Sequence, residues 1–120
     1  MRLTKEPMLS LIRDTKGLRG YFNIFVRRFF GFDGYLEYGI NFQEKKLLLL
    51  RSSKYIESSH KVCFPLRAPE RLLDELDKRI DIPYGESVIW GKVVDEDSII
   101  FDLTKLHRRF PGGRINYGYD

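Results

Sequence analysis

At 120 residues, with 42% apolar and 32% charged side chains, the chain fits one globular domain that buries a single core without staples. Cys63 is its only cysteine, which excludes an internal disulfide and points to a reducing, cytoplasmic compartment. The N-terminal MRLTKEPMLSLIR has charges scattered through it, so no signal peptide is expected. The longest aliphatic run, Leu47 to Leu50, is far too short to span a bilayer.

In chain order, the first predicted element is a helix opening near Pro7. Met8, Leu11 and Ile12 have helical spacing, and Gly17 supplies a stop. A second helix is predicted over 18–30. Leu18, Tyr21, Phe22, Phe25, Val26, Phe29 and Phe30 fall on one i, i+3, i+4, i+7 stripe, with Gly20 as a cost and Gly31 as the end. The β-branched and aromatic content of YFNIFVRRFF would also suit a strand.

Residues 35–42 alternate, with Leu36, Tyr38, Ile40 and Phe42 on one face, and read as a half-buried strand. After the polar turn 43–46, Leu47 to Leu50 is apolar on both faces, as in a central, covered strand. A short strand at 61–66 ends at Pro65 and completes a three-strand antiparallel meander.

The clearest helix is 69–80. Leu72, Leu73, Leu76 and Ile80 form its stripe, Glu70 sits at its positive end, and Lys78 and Arg79 sit at its negative end. Residues 87–94 and 99–103 around the turn 95–97 form a C-terminal β-hairpin. The expected fold is therefore α+β. It has two N-terminal helices (or one kinked helix), the meander, the mid-chain helix and the hairpin, with helices covering one face of the sheet. Residues 1–106 make the domain, and 107–120 make a basic tail containing glycine and tyrosine.

Catalytic signatures are few. His60 and Cys63 stand as H-x-x-C, but structural zinc needs four ligands and the only other histidine is His107, so no metal site is expected. No nucleophile elbow, phosphate-binding glycine loop or cofactor motif is present, so no cofactor is expected. Asp33 and Glu44-Lys45-Lys46 match a D…E-x-K nuclease spacing. The intervening extended strand would hold the two acids about 36 Å apart, which excludes a shared metal. The acidic turn Asp95, Glu96 and Asp97 lacks calcium-loop spacing.

The segment FVRRFFGFDG (25–34), in its helix–strand–strand context, resembles the LAGLIDADG homing endonucleases. In that family a motif helix ends in an acidic residue and glycine that bind metal at DNA. The resemblance implies a divalent-metal nuclease using Asp33. Arg27 and Arg28 depart from it, standing where the family places small residues for close helix packing.

Charge is the stronger signal. The net charge of +4 divides into +7 over residues 1–67, −6 over 68–103 and +3 over 104–120. Arg19, Arg27 and Arg28 on the second helix, Lys45, Lys46, Arg51 and Lys54 on the first hairpin, and Arg108, Arg109 and Arg114 in the tail are candidate phosphate contacts. Tyr117 and Tyr119 beside them are candidate stacking residues. The sequence thus points to a small non-catalytic module that associates with RNA or DNA. The alternative is a protein-interaction module, such as an assembly factor or inhibitor, whose dipolar charge steers a protein partner.

Overall fold

A computed structural model describes residues 6–31, 34–52, 59–62 and 66–108. The chain begins with two strands, β1 (Met8–Asp14) and β2 (Gly17–Phe22), followed by a short helix, α1 (Ile24–Phe30). Next come β3 (Tyr35–Asn41), β4 (Lys46–Ser52) and β5 (His60–Lys61), then α2 (Glu70–Arg79). Two longer strands, β6 (Gly85–Asp95) and β7 (Ser98–Asp102), precede a 3-10 turn at Leu103–Lys105 and β8 (His107–Arg108).

These strands form one antiparallel sheet in the order β2-β1-β6-β7-β4-β3-β5, with β8 beside β6. The sheet curls into a half-barrel, and one connection touches both of its ends. β5 pairs with β3, and a few residues later Leu66 O accepts from Phe22 N (2.9 Å) and Ala68 N donates to Gly20 O (2.8 Å) on β2.

The two expected N-terminal helices are overturned: Met8–Asp14 and Gly17–Phe22 are strands. The turn between them explains why. Asp14 Oδ1 accepts from Lys16 N (2.9 Å), and Gly17 has φ +128°, which a side chain would resist. The register pairs Leu9 with Phe22 and Leu11 with Gly20. β1 is buried on both faces from Met8 to Ile12, so its apolar residues do not alternate. Their spacing imitates a helical stripe for that reason.

The second stripe breaks at Asn23. Asn23 Oδ1 caps α1 at Val26 N (3.4 Å) and also accepts from Met8 N (3.2 Å), while Nδ2 donates to Glu6 O (2.8 Å). This buried side chain ties the start of β1 to the start of α1. Gly20 has a role that helix propensity does not reveal. A Cβ there would lie 2.9 Å from Leu73 Cδ2 and 3.1 Å from Ala68 Cβ, so its absence admits α2.

The three-strand meander is also overturned. β3 and β4 form a hairpin, but β5 pairs with β3, and the other neighbour of β4 is β7. The C-terminal hairpin is likewise more than a hairpin. Only Gly91–Asp95 of β6 pairs with β7, whereas the Gly85–Trp90 half pairs with β1. Leu9, Leu11, Leu47, Leu49, Ile89, Ile99 and Phe101 from the sheet meet Val26 and Phe30 of α1 and Leu72, Leu73 and Leu76 of α2 in one core.

Gly91 marks the middle of β6. A Cβ there would stand 2.8 Å from two Phe101 ring carbons and 2.9 Å from Ile100 O. Gly91→Ala is therefore expected to destabilise the fold by about 1–3 kcal/mol through overpacking, read as a lower urea midpoint at unchanged m-value.

Candidate functional site

The cations singled out in the sequence are distributed over several parts of the fold. α1 carries Arg27 and Arg28 in its last turn, Arg28 being exposed. Arg51 reaches the same end of the molecule from β4. Lys45 and Lys46 lie at the opposite end of β4, about 17 Å away for five extended residues. Arg19 is exposed on β2, and Arg108 is exposed on β8. Asp33, Lys54, Cys63, Arg109, Arg114, Tyr117 and Tyr119 lie outside the described residues.

Several of these cations already hold internal partners. Arg51 has the most. Its Nε donates to Asp97 Oδ1 (3.0 Å), Nη1 to Phe30 O (3.0 Å), and Nη2 to Phe29 O (2.6 Å) and Glu96 O (3.2 Å). Its guanidinium also stands 5.4 Å from the Phe29 ring centre and 5.6 Å from that of Phe30. The planar fork thus closes the carbonyl end of α1 and fastens it to the β6–β7 turn.

Arg19 pairs with Asp14 (2.8 Å), and Lys46 pairs with Asp102 (3.2 Å). Arg108 Nη2 donates to Tyr84 O (2.7 Å). Lys45 takes φ +57° in the β3–β4 turn, and its carbonyl accepts from Leu103 N (2.9 Å).

The acidic turn is likewise built into the fold. Asp95 Oδ1 accepts from Asp97 N (2.9 Å) and Ser98 Oγ (2.8 Å), and these bonds hold its carboxyl below the usual range. Asp102 is pulled down to about 2, first by the Thr104 hydroxyl, then by the Thr104 amide and Lys46. Among the described residues, no three histidine, cysteine or carboxylate side chains gather into a metal site, and no helix is long and apolar enough to cross a membrane.

What composition alone did not show is the outer face of the sheet. Leu47 and Leu49 point inward and are fully buried, while Leu48 and Leu50 point away from the core. The registers set Gly39, Leu48, Ile100 and Lys92 in one row across β3, β4, β7 and β6, with Glu37, Leu50 and Ser98 in the next. Leu50 is 39% exposed on this face, whereas exposed Val93 lies opposite Ile99 on the other face, at the end of β6. Leu48 and Ile100 are half-buried. Gly39 adds no bulk, since the position of its missing Cβ has no atom within 4 Å. The apolar run at 47–50 signalled two apolar faces. Strand order was needed to show that Ile100 extends the outer one.

Arg51→Lys is expected to cost about 1–3 kcal/mol in chemical denaturation, because an ammonium cannot serve this set of acceptors in one plane. The depressed carboxyl of Asp102 stabilises the fold above its ordinary value near 3.8, and that contribution is lost as pH falls toward 2. Thermal midpoints measured between pH 5 and 2 should therefore fall less steeply in Asp102→Asn than in the wild type.

No protein-family model matches the chain, and neither the curated proteins nor the solved structures provide a match.

Proposed function

We propose that this chain is a binding module that engages a protein partner through the outer face of β4 and β7. The observation that carries this reading is the exposure of Leu50 beside half-buried Leu48 and Ile100 on one face of the paired strands β4 and β7. Isolated apolar residues are ordinary on a surface, but neighbouring ones on a single sheet face favour a partner that removes them from water. The internal pairing of Arg19, Lys46 and Arg51 also supports a protein partner over a phosphate backbone, since those ion pairs would have to be exchanged.

The test is affinity capture from nuclease-treated lysate. Wild type should retain a specific protein that Leu50→Glu loses while keeping its circular dichroism spectrum and thermal midpoint. Retention of the same protein by the folded variant would sink this face as the docking surface.

A second reading, association with single-stranded RNA or DNA, is favoured by Arg108. It lies against the backbone of Tyr84, a residue 61% exposed, at the foot of the basic C-terminal stretch. A cation held at the backbone of an exposed tyrosine suits phosphate contact with base stacking. Binding to a short single-stranded oligonucleotide should weaken linearly in log K against log salt. Arg108→Ala should make that slope shallower by about 1. Absence of binding at low salt removes this reading.

A further inference from the structure

No further inference is drawn: the strongest candidate, the second buried layer that Met8, Ser10, Ile12, Glu86 and Val88 form on the face of β1 and β6 away from the core, carries nothing because nothing in the structure shows what covers it.

Discussion

The fold depends on β6 serving two neighbourhoods at once. Its first half is held between β1 and β8, and its second half pairs with β7. The exchange occurs at Gly91, whose amide donates to Pro7 O (2.8 Å) while the Phe101 ring occupies the space a side chain would take. One strand thus joins the N-terminal hairpin to the four-strand region made by β3, β4, β6 and β7. With a Cβ at this position, Phe101 could not keep its place against the strand, and the core on that side would have to shift.

Two polar side chains perform the complementary task of holding the helices to this frame. Asn23 links α1 to the beginning of β1 through three hydrogen bonds made by one amide. Arg51 does the same at the other end of α1, where carbonyls without helical partners meet a guanidinium that also holds the β6–β7 turn. A seven-residue helix is too short to persist on propensity alone, so these two anchors and the burial of Val26 and Phe30 keep it in place.

This has a consequence for function. A cation count treats every arginine and lysine as available to a partner, yet Arg19, Lys46 and Arg51 are each set against a carboxylate. The same holds for acids. Asp95 shapes the β6–β7 turn, and Asp97 and Asp102 pair with Arg51 and Lys46. The opposed charge blocks of the sequence therefore partly pair with each other at the surface, since basic residues of the first half contact acids from 68–103. That leaves the apolar outer face as the surface feature with fewest internal explanations.

Composition and local pattern were sufficient for some elements and misleading for others, and the division is physical. α2 was legible because one face meets the core and the other meets water, so its burial follows its own period. The β3–β4 turn and the β6–β7 turn were legible from polar residues between apolar runs. β1 was not, because a strand buried on both faces loses the alternation that identifies strands. The stripe over 18–30 misled because a strand and a helix, joined at Asn23, happen to present apolar residues at one shared spacing. By itself the sequence determined the apolar content, the mid-chain helix, the β3–β4 and β6–β7 turns and the doubly apolar character of 47–50. Strand order, the partners of Arg51 and the juxtaposition of Leu48 with Ile100 were decided only by tertiary structure. Each depends on residues tens of positions apart, whose contacts leave no periodic trace along the chain.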